Sequence, residues 1–189
     1  DAMQVYDGLS ILTARPSAAD LRQAPHRLYG FVDPATRFST GAWLRAASKV
    51  VAGAGDTPLI FVGGTGLYFS ALTEGFADVP EVPPQSVAYA EEQIAGLDRD
   101  ARGRLIAERD PRIAARLKSP DPQRVARALA VLHATGRSLA AFQDELQPAP
   151  LAGFALERIV LNPERDLLRE RIAQRFRQMW QGGAIEEVE

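Results

Sequence analysis

The stretch "PLIFVGGTGLYFSAL", residues 58–72, decides how the chain is read. An apolar run reaches Gly63-Gly64-Thr65-Gly66 and passes at once into an apolar pattern with helical spacing. A continuous apolar run of this length suits a strand buried on both faces, as in a parallel sheet. Glycines let the backbone turn through positive φ and let a ligand approach closely. A helix starting directly after the turn offers free N–H groups and partial positive charge, which favour an anion. Thr65 adds a hydroxyl. The turn is neither a Walker A loop, which needs Gly-Lys-Ser/Thr, nor a GxGxxG fingerprint. On its own it is equally compatible with a plain strand-to-helix connection.

Upstream, Ser39 is placed as the N-cap of a helix of about fifteen residues ending at glycines. Residues 1–38 read as loop and short elements, broken by Gly8, Pro16, Pro25 and Pro34. Downstream, "FADVPEVPPQS" (76–86) reads as a linker, and the pattern predicts helices over 87–97, 101–109, 111–118, 122–135 and 139–146. Asp121-Pro122 is a start signal and Gly136 a stop signal. After "QPAPLAG" come a predicted strand, "FALERIVLN", and a predicted helix, "ERDLLRERIAQRFRQMWQGG". The expected fold class is therefore α/β: a parallel-sheet core interrupted by an all-helical insertion. The expected division is 1–76 (core, first part), 77–150 (helical insertion) and 151–189 (core, second part).

A chain of 189 residues can build one good core, or one core and a small satellite. No run approaches the roughly eighteen apolar residues of a membrane span, so no membrane role is expected. Cysteine is absent, which excludes disulfides and thiolate metal sites and agrees with a cytoplasmic location. Net charge is −2, which averages over an uneven distribution. Lys49 and Lys118 are the only lysines among 22 basic residues, and Arg99 to Arg137 carries nine arginines and one lysine. Arginine forks suit phosphates and carboxylates. Asp1 opens inside a motif and "AIEEVE" stops without a cap, so a longer parent protein is expected.

Three further stretches could carry chemistry. Asp1 could act as a general base and Gln4 could read a base edge; from composition alone Asp1 reads as a solvated terminus. On the Asp121-capped helix, Gln123 and Arg127 share a face with Arg124 beside them, while Val125, Ala128, Leu129 and Leu132 take the opposite stripe. That polar face could be solvated only, or could meet RNA phosphates. Arg171 and Arg175, one turn apart, place like charges together, an arrangement an intervening anion would relieve. His26 and His133 have no partners at metal-ligand spacing, and no Ser-His-Asp pattern occurs.

Taken in order, "DAMQVYDGL", "TARPS", "APHRLYG", "FVGGTGLYFSAL" with "TEG", "DPRIAARL", "DPQRVARALAVLHATG" and "RERIAQRFRQM…GG…EEV" resemble the tRNA dimethylallyltransferases, the bacterial tRNA isopentenyltransferases. The resemblance covers nearly the whole chain. It implies a P-loop-kinase-like core and transfer of a dimethylallyl group from dimethylallyl diphosphate to an exocyclic amine. That amine belongs to the adenosine 3′-adjacent to the anticodon of tRNA.

It further implies Asp1 as general base, Thr65 and Arg175 near the reacting centre, and tRNA contacts from Asp1, Ala2, Met3, Gln4, Thr65, Gln123, Arg124, Val125, Ala126 and Arg127. Gly64, Thr65, Arg171 and Arg175 fall where the diphosphate would bind. Mg²⁺ is the implied cofactor, its family ligand lying in a P-loop upstream of the Asp1 motif, and the implied state is a monomer. The chain departs from the family pattern at Arg15, Ala88 and Lys118-Ser119-Pro120. Without a P-loop the stretch by itself is expected to be inactive. The rival readings are a P-loop small-molecule kinase, a non-catalytic RNA-binding remnant and an enzyme prenylating free adenine nucleotides.

Overall fold

The computed structural model describes all residues, Asp1–Glu189. The chain divides into two compact units, residues 1–74 with 150–189, and residues 75–149.

The first unit holds helices α1 (Ser10–Thr13), α2 (Ala18–Gln23), α3 (Thr40–Gly53) and α4 (Gly66–Glu74). Ser17 and Asp20 form a reciprocal capping box on α2. Ser39 caps α3 by accepting from Ala42 N at 3.1 Å, the start that its sequence signal predicts. The core of this unit gathers Val5, Val32, Trp43, Ala47, Val51, Tyr68, Leu72 and Leu151. Trp43 on α3 stacks on Tyr68 on α4, ring centroids 4.0 Å apart and planes 13° apart. Those two rings bring α4, and so the glycine turn preceding it, against α3. Residues 4–7 run beside 30–32 through Gly30 N→Gln4 O (2.9 Å), Phe31 N→Val5 O (2.8 Å) and Asp7 N→Val32 O (2.8 Å), with one parallel bridge, Tyr6 to Val32.

The second unit is a helical cluster closed by a minimal ladder. Phe76–Ala77 (β1) pairs antiparallel with Leu146–Gln147 (β2) at the two ends of the segment. Between them lie α5 (Pro84–Ile94), α6 (Arg99–Arg109), α7 (Pro111–Ala114), α8 (Pro122–Thr135) and α9 (Leu139–Gln143). Ala90, Ile106, Ile113, Val125, Ala128, Leu129, Ala130 and Ala140 form its core. Helix α8 spans the predicted residues. Asp121 Oδ1 accepts from Gln123 N (3.0 Å) and Arg124 N (3.2 Å), and Gly136 closes it at φ 67°, a left-handed stop suited to glycine. Asp121→Ala should therefore destabilise this unit by about 1 kcal/mol, measured as a lower urea midpoint with unchanged slope.

Three expectations are corrected here. Neither 58–62 nor 154–162 forms a strand, and the ladder present is the antiparallel pair in the second unit. Ile60 is 88% exposed and Val160 85%. A strand exists only through the neighbour that shares its hydrogen bonds, and no strand of this chain lies beside either run. In the second unit, α7 and α9 stop short of the predicted ends, and the last predicted helical residue, Leu146, belongs to β2 instead. Finally, Gly63, Gly64 and Gly66 are absent from the positive-φ glycines, so the turn does not use left-handed backbone. Helix α10 (Arg165–Gln181) completes the first unit and has no buried residue.

Candidate active site

The turn after the apolar run needs glycine for a different reason. A Cβ on Gly63 would stand 3.1 Å from Asp1 N and 3.3 Å from its Cα, so the missing side chain lets residue 1 approach closely. Two bonds then join the segments. Gly64 N donates to Asp1 Oδ2 at 3.3 Å, and Ala2 N donates to Thr65 Oγ1 at 3.2 Å. The second carboxylate oxygen, Oδ1, accepts from Met3 N at 3.0 Å. Asp1 is thus fixed by an N–H on each oxygen. Thr65 uses its hydroxyl oxygen as acceptor and keeps its O–H to donate.

Beneath these polar groups the surface is largely aromatic. Trp43, Phe61, Tyr68 and Phe69 line a small cavity with Asp1, Gly63 and Thr65. Burial raises the Tyr68 hydroxyl above its ordinary value, with a smaller contribution from Tyr6, so Tyr68 is a neutral wall at physiological pH. A carboxylate with its orientation fixed, next to a free hydroxyl proton and an apolar floor, can accept a proton from a nucleophile and hold an apolar group beside it.

Of the residues singled out in the sequence, the structure brings Asp1, Ala2, Gly64 and Thr65 together. Met3 is exposed at 55%. Gln4 is turned away: its amide Nε2 donates to Thr13 O (3.1 Å) and Ala14 O (2.9 Å). Both donors of that amide are occupied, leaving only Oε1 to meet a ligand. Arg171 and Arg175 are exposed on α10, and the bonds that fix Asp1 and Thr65 do not include them. Gln123, Arg124 and Arg127 are exposed on α8 in the second unit, and Ala126 is partly buried. Val125 is 0% exposed, so it anchors the helix and its side chain has no surface for RNA.

Reading the sequence alone missed the Trp43–Tyr68 floor. Its only signal is the helical spacing of aromatics on two different helices, which cannot show that they meet. No three carboxylate or imidazole side chains converge anywhere. These residues therefore do not make an all-protein cation cage.

A carboxylate and a hydroxyl thus meet at a glycine turn over an aromatic floor, within one of two helix-rich units. The chain belongs to the IPP transferase family, whose sequence pattern matches residues 4–189. It is 50% identical over 192 residues to the tRNA dimethylallyltransferase of Methylocella silvestris, and 49% over 191 residues to that of a Methylobacterium species. Both alignments take in the whole chain but 63% and 62% of the relatives, so the chain spans less than two thirds of their length.

Among solved structures, the full-length tRNA isopentenylpyrophosphate transferase of Bacillus halodurans is similar over 99% of this chain and 58% of its own. That match has a TM-score of 0.55 at 29% identity. A eukaryotic dimethylallyltransferase solved acting on tRNA shares the fold over 99% of this chain and 46% of its own, with TM-score 0.67 and 21% identity. No helix is long and apolar enough to cross a membrane.

Proposed function

We propose that this chain is part of an enzyme that moves a dimethylallyl group from dimethylallyl diphosphate to a tRNA adenosine. The acceptor is the exocyclic amine of the adenosine 3′-adjacent to the anticodon. The observation that carries the reading is the pair of bonds joining Asp1 to Gly64 and Ala2 to Thr65. In this reading Asp1 takes the proton that the amine loses as its nitrogen bonds to the allylic carbon. The Thr65 O–H points to the diphosphate that leaves, where donors stabilise developing negative charge. The aromatic floor of Trp43, Phe61 and Phe69 suits the apolar allyl group. Arg171 and Arg175 serve the diphosphate only if α10 brings them to it.

The parallel-sheet core with residues 77–150 as a tRNA-binding insertion is part of the same proposal, as are a monomeric state and a cytoplasmic location. What supports a sheet is the strand-like composition of the apolar runs at 58–62 and 154–162, which form no strand within this chain itself. The target adenosine must leave its stack to reach Asp1, and the exposed Arg124 and Arg127 of α8 are the residues assigned in this reading to the RNA backbone. Arg124→Ala in the full-length protein should weaken tRNA binding and reduce the slope of log K against log salt by about 0.7 to 0.9. An unchanged slope would remove Arg124 from phosphate contact. The transfer itself is tested by incubating the full-length protein with dimethylallyl diphosphate and tRNA and analysing the nucleosides. Phosphorylation of a small molecule without prenylation would instead favour the kinase reading.

A further inference from the structure

Helix α1 has only four residues, Ser10–Thr13, too few to persist without outside support. Its N-cap residue, Leu9, offers no side-chain acceptor. The acceptor comes from the far end of the chain. Glu187 Oε1 accepts from Ser10 N (2.6 Å), Ser10 Oγ (2.7 Å) and Ile11 N (2.7 Å), and Oε2 accepts from Leu12 N (2.9 Å). One carboxylate thus satisfies three of the four orphan N–H groups of this helix start. At the other end, the carbonyls of Thr13 and Ala14 are taken by Gln4 Nε2. Gln4 in turn lies three residues from Asp1, and its own carbonyl accepts from Gly30 N at 2.9 Å. The order of contacts is Glu187, α1, Gln4 and then the loop carrying Asp1.

We propose that Glu187 is a positioning residue for the loop of Asp1–Gln4, acting through α1 and the Gln4 amide. It touches none of the reacting groups. Its effect is to fix the helix whose terminal carbonyls hold the Gln4 side chain, so the carboxylate of Asp1 stays against Gly64. This rests on the transferase reading above, in which Asp1 is the base. Desolvation by itself would raise the Glu187 carboxyl, but the bonds from Leu12, Ile11 and Ser10 outweigh it and hold the group down, from an ordinary 4.5 to about 2. A carboxyl lowered on folding contributes stability that is complete above its unfolded value and is lost as pH falls through the folded one. The clamp therefore holds from neutral pH down to about 4.5 and opens between there and about 2.

The test uses Glu187→Gln in the full-length protein, which keeps the shape but loses the charge and one acceptor oxygen. Turnover with dimethylallyl diphosphate and tRNA should fall about 10- to 100-fold with KM for tRNA unchanged, as expected for a displaced catalytic group. Amide exchange at Ser10–Leu12, Met3 and Gly64 should speed up, while the amides of α3 stay protected. Unchanged kcat, or faster exchange spread evenly over the first unit, overturns the proposal and leaves Glu187 a general staple. If the wild-type protein transfers nothing, the transferase reading fails, and exchange at Met3 and Gly64 still decides whether Glu187 positions the loop. Should Glu187→Gln fail to fold, Ser10→Ala removes one bond of the clamp; unaltered exchange at Met3 and Gly64 there overturns the proposal too. A titration of the Leu12 amide signal should show a midpoint near about 2, and a midpoint near 4.5 would show that the clamp does not form.

Discussion

Asp1→Asn in the full-length protein should lower turnover by about 10²- to 10⁴-fold, the usual worth of a general base, while tRNA binding stays unchanged. Asparagine keeps an oxygen for the Met3 N–H bond and nearly the same volume, so the loop retains its place. What it lacks is an oxygen able to accept the amine's proton at neutral pH. The geometry makes this substitution informative because Asp1 is held at both oxygens, by Met3 and Gly64, and not left as a mobile terminus. Steady-state kinetics beside a tRNA binding isotherm separate the two effects. Equal turnover in both proteins would remove Asp1 as the base; loss of tRNA affinity with normal turnover would make it a binding residue.

The second large effect is expected at Trp43. Its side chain is 6% exposed and lies flat on Tyr68, itself 6% exposed. Truncating a buried Trp to Ala removes apolar contact and leaves a cavity, together costing about 3–5 kcal/mol. The stacked pair adds about 0.5–1.5 kcal/mol beyond burial. Against the 5–15 kcal/mol typical of a whole domain, Trp43→Ala should leave the first unit barely folded at room temperature. Trp43→Phe retains a ring and should recover most of the loss. Urea unfolding of the full-length protein by circular dichroism checks this. A change below about 1 kcal/mol would mean that the α3–α4 contact does not organise this unit. The same rings form the floor beside Asp1 and Thr65, so transfer should suffer along with stability.

These two residues illustrate what the sequence discloses and what it withholds. Helix α8 was legible to the residue because its signals are local: Asp121 supplies the cap, Pro122 the first turn and Gly136 the left-handed stop. The start of α3 at Ser39 was legible for the same reason. The apolar runs at 58–62 and 154–162 have strand composition, yet pairing depends on a partner that no local pattern specifies, and here both runs stay unpaired. The glycine turn is legible in the sequence, but the backbone reason expected for it, positive φ, is not the one the structure gives. Gly63 is needed because Asp1 sits on it, not because φ is positive. Val125 shows the converse limit, since a motif spanning five consecutive helical residues must include one that faces the core. Glu187 lies 175 residues or more from the amides it binds, and no spacing rule reaches that far.

The departures at Arg15 and Ala88 differ in what the structure says of them. Arg15 is built in: its guanidinium donates to Tyr6 O at 3.2 Å and pairs with Asp7 at 3.2 Å, on the same loop as Asp1. Backbone and side-chain bonds, those of Gly8 first and Arg15 second, hold the exposed Asp7 carboxyl below its ordinary value. Nothing in the structure explains Ala88.

The most direct test of the central claim is the product itself. The full-length protein is incubated with dimethylallyl diphosphate and a tRNA bearing adenosine just 3′ of its anticodon, and the digested nucleosides are resolved by mass spectrometry. One added dimethylallyl group on that adenosine's exocyclic nitrogen is expected, present with wild-type protein and nearly absent with Asp1→Asn. Unmodified tRNA from the wild-type protein, or equal modification by both proteins, would contradict it.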